Sequence, residues 1–134
     1  MDQHLVPVRR DIAAMAGELF DVIGIPFEQT TELRRQLLAV FAFGMTFAVG
    51  QFKKLTPPEV HALAIACLMD VFQYADHQAA AFSEQLIAAS GDRNVHPTIH
   101  DVIHRGIDGH AQWKNSKPAE LRVNIEDIFR AVGA

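Results

Sequence analysis

The chain has 134 residues, 49% of them hydrophobic and 21% charged, which is the composition of one globular domain and not of a disordered segment. The formal net charge of −4 argues against nucleic acid as a partner, because phosphate binding requires a basic surface. The single cysteine excludes an intramolecular disulfide and a zinc site built from cysteines. We therefore predict one domain over residues 1–134 that does not bind nucleic acid.

Three short segments bear on the cellular compartment. The first residues lack a basic region followed by an apolar run, so no secretory signal is visible. Residues 37–49 are apolar between two basic pairs, but they fall short of the roughly 20 residues that a membrane-spanning helix needs. Cys67 lies in the apolar residues 63–69, where a cysteine is usually an inert core residue. These features predict a cytoplasmic protein without a membrane segment.

The first two predicted helices are marked by proline, glycine and threonine. Pro7 suits the first turn of a helix, and apolar residues then follow a helical period until residues 24–26 (Gly-Ile-Pro) end it. Thr30 or Thr31 suits the N-cap of a second helix, which runs toward Phe52. That second helix is apolar on nearly every side, so we expect it at the centre of a bundle.

The third helix has the best-defined start in the chain. Thr56 and Glu59 can form a capping box, in which each side chain bonds the other residue's backbone amide. A single helix from Thr56 to Ala89 would have about 33 residues and a length of roughly 50 Å, which is long for a domain of this size. The sequence leaves its continuity open, and a kink or break between Asp70 and Ala81 is compatible with it.

The remaining elements are two further helices. Pro97 begins the fourth and Pro118 the fifth, and Gly133 is a suitable terminator for the last one. No segment shows the alternation of apolar and polar residues that marks a strand. The sequence therefore predicts an all-α fold, a compact bundle of about five helices around a central apolar helix.

Four of the seven histidines fall within residues 96–110. This concentration of imidazole groups makes the segment the best candidate in the chain for a metal site, a proton-handling site or a recognition surface. On a helix His100 and His104 lie on the same face, where two imidazoles can chelate a transition metal. His96 continues the stripe or belongs to the capping turn. A third ligand such as His77 would come from the third helix, where one face carries Asp70, His77 and Glu84.

The alternative is that these histidines are structural, because they border the apolar face of their helix. The metalloprotease pattern His-Glu-x-x-His is absent, so no specific hydrolase motif supports a metal site. Gly106 and Gly109 permit either close helix packing or a tight turn that exposes Asp108 and His110.

Aromatic residues are expected mainly in the core. Trp113 suits either the core or an interface, and the core is the more frequent position. Six phenylalanines at helical spacing are also more typical of a core than of a ligand pocket. They are Phe41, Phe43, Phe47, Phe52, Phe72 and Phe82.

Residues 96–98 (His-Pro-Thr), 104–110 (His-Arg-Gly-Ile-Asp-Gly-His) and 112–113 (Gln-Trp) resemble a known family. They are similar to the small all-helical immunity proteins of bacterial polymorphic-toxin systems, and in particular to the immunity protein 48 group. The resemblance implies a cytoplasmic, cofactor-free binding protein, not an enzyme, which blocks a cognate toxin by occlusion. A nuclease would suit an acidic inhibitor. The implied toxin contacts are His100, Asp101, His104, Asp108, His110 and Trp113.

Two other functions stay open from the residues alone. The first is a metal-binding bundle protein or metal-dependent hydrolase that uses His77, His100 and His104 as ligands. The second is a homodimer in which the apolar second helix meets its counterpart across a symmetry axis.

Overall fold

The computed structural model describes residues 1–134, and every regular element in it is helical. Two short 3₁₀ turns, Gln3–Leu5 and Phe27–Gln29, flank the first helix. The all-α prediction is confirmed, with six helices instead of about five. The helices are α1 (Val6–Ile23), α2 (Glu32–Phe52), α3 (Pro57–Asp70), α4 (Asp76–Gly91), α5 (Pro97–Lys114) and α6 (Pro118–Val132).

The helix ends follow the chemistry of their capping residues. The Thr31 hydroxyl accepts a hydrogen bond from the third amide of α2, and Thr56 forms the expected capping box with Glu59 at the start of α3. Gly24 and Gly133 end α1 and α6 in the left-handed conformation, with φ of 72° and 79°. A side chain would be strained at both positions, so glycine defines these two ends.

The additional helix arises because the segment from Thr56 to Ala89 is broken. The chain leaves α3 after Asp70 and starts α4 at Asp76, with Gln73 in the left-handed region at φ 62°. The Gln78 side chain accepts a hydrogen bond from the Ala75 amide and so caps the new helix. Neither glycine nor proline marks this break, which is why the residues alone left it open.

The break also separates residues that a continuous helix would place on one face. Asp70 accepts two hydrogen bonds from the Arg9 guanidinium, at 2.7 and 2.8 Å, and so links α3 to α1. This pairing holds the pKa of Asp70 below its usual range. His77 lies exposed in the first turn of α4, with its ring nitrogen 3.6 Å from the carboxylate of Asp76.

Helix α2 is the centre of the bundle, as its apolar composition predicted. Every residue from Leu37 to Thr46 is buried, and eight of these ten belong to a hydrophobic core cluster of 29 residues to which all six helices contribute. No helix combines the length and apolarity needed to cross a membrane. Cys67 lies in the core as expected, and burial raises the pKa of its thiol to about 12.

Glycines allow the backbones of α2 and α5 to touch. A Cβ atom on Gly44 would overlap the carbonyl oxygen of Ile103, and one on Gly106 would overlap the carbonyl oxygen of Phe41. A Cβ on Gly109 would collide with the Phe41 ring. Helix α5 runs unbroken through both of its glycines, so close packing, and not an exposed turn, is their role.

We expect Gly106→Ala to destabilise the protein by about 1–3 kcal/mol, the usual cost of overpacking, because the obstructing atom belongs to the backbone of α2. The matched control is Gly17→Ala in α1, where an added Cβ meets nothing within 4 Å. That substitution should stabilise the protein by about 0.5–1 kcal/mol through helix propensity. Urea unfolding measures both, and a Gly106→Ala variant as stable as the wild type would contradict this packing.

Candidate functional site

All six residues predicted to contact a toxin lie on α5, but the helix places them on two opposite sides. His104 and Asp108, four residues apart, face solvent. His110 and Trp113 lie on the other side and are half-buried against α1 and α2. The structure therefore divides the predicted set into two surfaces.

The histidine pair on the outer side is anchored to α4. Nδ1 of His100 donates a hydrogen bond to the carbonyl oxygen of Ala89 at 2.8 Å, so the neutral ring carries its proton on Nδ1. The rings of His100 and His104 lie 4.4 Å apart between centroids. The two imidazoles are thus neighbours, as the spacing predicted.

The structure does not bring a third metal ligand to this pair. His96 is the N-cap of α5, and its Nδ1 accepts the Ile99 amide at 3.2 Å. His77 lies 12 residues along α4 from Ala89, the residue that His100 contacts, which corresponds to about 18 Å. No group of three or more histidine, cysteine, aspartate or glutamate side chains is arranged to hold a metal ion. The suggested ligand set of His77, His100 and His104 is therefore not assembled within one chain.

Asp101 is already engaged by a neighbouring arginine. The Arg93 guanidinium, in the loop before α5, donates two hydrogen bonds of 3.0 Å to its carboxylate. These hydrogen bonds hold the pKa of Asp101 below its usual range. Because the carboxylate is partly neutralised, Asp101 offers less charge to a partner than Asp108 does.

Asp108 lies in a shallow polar depression between α5 and α6, which we call the acidic concavity. Its volume is about 540 Å³, and Asp108 itself has no ion-pair partner. Asp127 is 3.7 Å from the Arg105 guanidinium, and Val123, the larger of the two apolar residues in the lining, is 59% exposed. The lining is Arg105, Asp108, Gln112, Ala119, Glu120, Val123, Asn124 and Asp127.

A buried asparagine holds the acidic concavity together. The Asn124 side chain, on the apolar face of α6, accepts a 2.6 Å hydrogen bond from Arg105 Nε. Its amide donates to the Arg105 carbonyl at 3.0 Å and to Gln112 Oε1 at 3.1 Å. Asn124 was not among the predicted site residues, although a lone polar side chain among Leu121, Ile125 and Ile128 was a usable signal.

The second surface is a groove between α1, the end of α2 and the end of α5, which we call the aromatic groove. Its volume is about 310 Å³. The Trp113 indole donates a hydrogen bond to the Glu18 carboxylate of α1, and Lys114 Nζ lies 3.2 Å from the centroid of the Phe52 ring. The lining is Asp11, Ile12, Ala14, Met15, Val49, Phe52, Lys53, His110, Trp113 and Lys114.

Phe52 corrects a prediction, because it was expected in the core and is 66% exposed. It is the last residue of α2, and residues 51–54 are all exposed where the chain leaves the bundle. Phe41, Phe43 and Phe72 are buried as expected, while Phe47 and Phe82 are half-buried. Helical spacing predicts the side of a helix on which a side chain lies. It does not predict whether a neighbouring helix extends far enough to bury that side chain, and at Phe52 none does.

The family model for immunity protein 48 matches residues 10–133. The chain belongs to the immunity protein 48 family. No curated protein and no solved structure matches it.

The match to immunity protein 48 confirms the resemblance that residues 96–113 suggested, and it extends over nearly the whole chain. It includes both surfaces of α5, from Asp11 in the aromatic groove to Asp127 in the acidic concavity. A family of immunity proteins implies a toxin as the partner.

His110 gives a test of the aromatic groove. Burial, with a smaller contribution from the Lys114 ammonium, lowers its pKa from the ordinary 6.5, and an NMR titration should detect this. Lys114→Met should raise the pKa only in part, because burial is the larger cause. A His110 pKa at or above 6.5 would contradict the half-buried position.

The same pKa shift sets a pH dependence of stability. Because the folded state lowers this pKa, the unfolded chain binds more protons between the two values. The contribution of His110 to stability is therefore complete above about pH 6.5 and is lost as the pH falls through the folded-state pKa. Urea unfolding between pH 7.5 and 5 measures this loss. The free energy of unfolding of His110→Gln should fall less over this range than that of the wild type.

Proposed function

We propose that the protein binds a cognate bacterial toxin and neutralises it by occlusion. The observation that carries this proposal is the family match over residues 10–133. The proposal assigns no cofactor and no catalytic residue, because an inhibitor that covers an active site or a substrate-binding cleft acts by binding alone. It places the protein in the cytoplasm of the cell that makes the toxin.

The acidic concavity is the surface we assign to a basic part of the toxin. Its lining includes three carboxylates, of which Glu120 pairs with Lys117 and Asp127 with Arg105 and Arg130. Asp108 is its unpaired negative charge. Carboxylates at a rim speed the capture of a basic partner and select against acidic ones. A nuclease, whose substrate-binding cleft attracts phosphate, is the class of toxin that fits this charge best.

Within this proposal the outer residues of α5 have different roles. Asp108 is the leading contact, because it is exposed and has no ion-pair partner. His104 is also exposed, one helical turn before Asp108, and can donate or accept a hydrogen bond. His100 and Asp101 mainly order the surface, since they bond Ala89 and Arg93.

The first experiment is to co-express the chain with the product of the adjacent gene in its native locus. We expect this product to arrest growth alone, and the chain to restore growth and to co-purify with it. A toxic neighbour that the chain neither rescues nor binds would overturn the proposed function.

The role of the acidic concavity is tested by charge reversal at Asp108. Asp108→Lys should weaken binding of the catalytically inactivated toxin about tenfold or more, mainly by slowing association, and reduce the salt dependence of the rate. The matched control is Glu84→Lys, an exposed glutamate of α4 outside both surfaces. Stopped-flow or surface-plasmon measurements give both rates, and equal losses in the two variants would contradict a specific role for this surface.

A further inference from the structure

The aromatic groove has the features of an anchoring site for a partner. Phe52 is the most exposed large apolar side chain of the protein, at 66%. It lines the same groove as Trp113, the single tryptophan. Aromatic residues are enriched at the centres of protein interfaces.

The shape of the groove limits what it can hold. Its floor is formed by Ile12, Met15 and Val49, which are buried core residues of α1 and α2. The volume of about 310 Å³ is at the lower limit of ligand pockets, which span about 300–1,000 Å³. An apolar floor of this size suits one bulky apolar side chain.

The charges on the rim select a particular kind of partner. Lys53 and Lys114 line the groove, and neither ammonium forms an ion pair with a carboxylate of the chain. Lys114 is held over the Phe52 ring, which fixes its position beside the opening. Asp11 is the single carboxylate of the lining, because Glu18 lies outside it and is bonded to the Trp113 indole. The rim is thus locally basic on a chain of net charge −4.

We infer that the aromatic groove binds an acidic segment of the toxin that carries one bulky apolar side chain. The apolar side chain lies over Ile12, Met15 and Val49, between Phe52 and Trp113, and the flanking carboxylates pair with Lys53 and Lys114. This inference rests on the proposed function, because it takes the toxin as the partner.

A second copy of the chain fits the groove less well. A two-fold symmetric dimer would place the same patch of both copies face to face. Lys53 and Lys114 of one copy would then approach their counterparts, and like charges at an interface are unfavourable. The alternative of a dimer through α2 also has no exposed apolar face in the middle of that helix, because residues 37–46 are buried within their own chain.

The test is the affinity of groove variants for the catalytically inactivated product of the adjacent gene, measured by titration calorimetry. Phe52→Ala and the double variant Lys53→Glu/Lys114→Glu should each raise the Kd at least tenfold. The matched controls are Leu33→Ala, an exposed apolar residue at the other end of α2, and Arg122→Glu, an exposed arginine of α6 that lines neither surface. Both should stay within twofold of the wild type.

NMR gives a second measure of toxin binding at the groove, and a variant that merely failed to fold would not give the same result. With only this chain labelled with ¹⁵N, the single indole N–H signal reports on Trp113, and it should shift when unlabelled toxin is added. The signal should shift less in the double lysine variant at the same toxin concentration. All substituted side chains are exposed, and thermal melts of the free variants check that each one folds.

The outcomes separate the two proposals. Wild-type binding that Phe52→Ala and the lysine variant leave unchanged, with no shift of the indole signal, would overturn the groove inference and leave the proposed function standing. A wild-type chain that neither binds nor rescues would overturn the proposed function itself. Light scattering that shows a dimer, lost in Phe52→Ala, would overturn the assignment of the groove to the toxin.

Discussion

The backbone contact between α2 and α5 is the constraint on which the rest of the structure depends. At Gly44 and Gly106 the two helices meet without side chains between them, and any Cβ there would overlap a carbonyl oxygen. This contact buries the middle of α2 on the side that α5 covers. It also fixes the rotation of α5, and a helix with a fixed rotation presents the same residues to solvent and to the groove at all times. The two surfaces of α5 follow from that rotation.

Local chemistry made much of the fold predictable. Proline at the start of α3, α5 and α6, threonine N-caps and glycine at two C-caps act through backbone geometry and hydrogen bonds a few residues away, so the sequence reveals them directly. The break after Asp70 was not predictable in the same way. It depends on Gln73 in a left-handed conformation and on a cap from Gln78, and neither residue is a strong breaker. Tertiary packing of α3 and α4 on different neighbours decides it.

The candidate site shows the same division between local and tertiary information. The density of histidine predicted a surface on residues 96–110, and α5 does carry one, with His100 and His104 adjacent. Which of these side chains are free to contact a partner depends on the tertiary structure. Asp101 already accepts hydrogen bonds from Arg93, and His100 already donates its Nδ1 proton to the Ala89 carbonyl oxygen. Phe52 was misjudged because its exposure depends on where the covering helices end, which periodicity does not report. For Asn124 the apolar neighbours on α6 were a signal of burial, but its partners on α5 follow only from the tertiary structure.

An inhibitor that acts by occlusion gains affinity when its surface is ordered before binding, because less conformational entropy is lost in the complex. Both surfaces of α5 are ordered in this way by bonds to other helices. Asn124 joins α5 to α6 beneath the acidic concavity, and Trp113 joins α5 to α1 at the aromatic groove. The two surfaces share the C-terminal half of α5 and are separated by about one helix diameter, roughly 10 Å. A single partner at this end of the helix can therefore meet carboxylates on one side and lysines with aromatic rings on the other. A toxin with both a basic cleft and a neighbouring acidic, apolar segment would be distinguished from toxins that have only one of them.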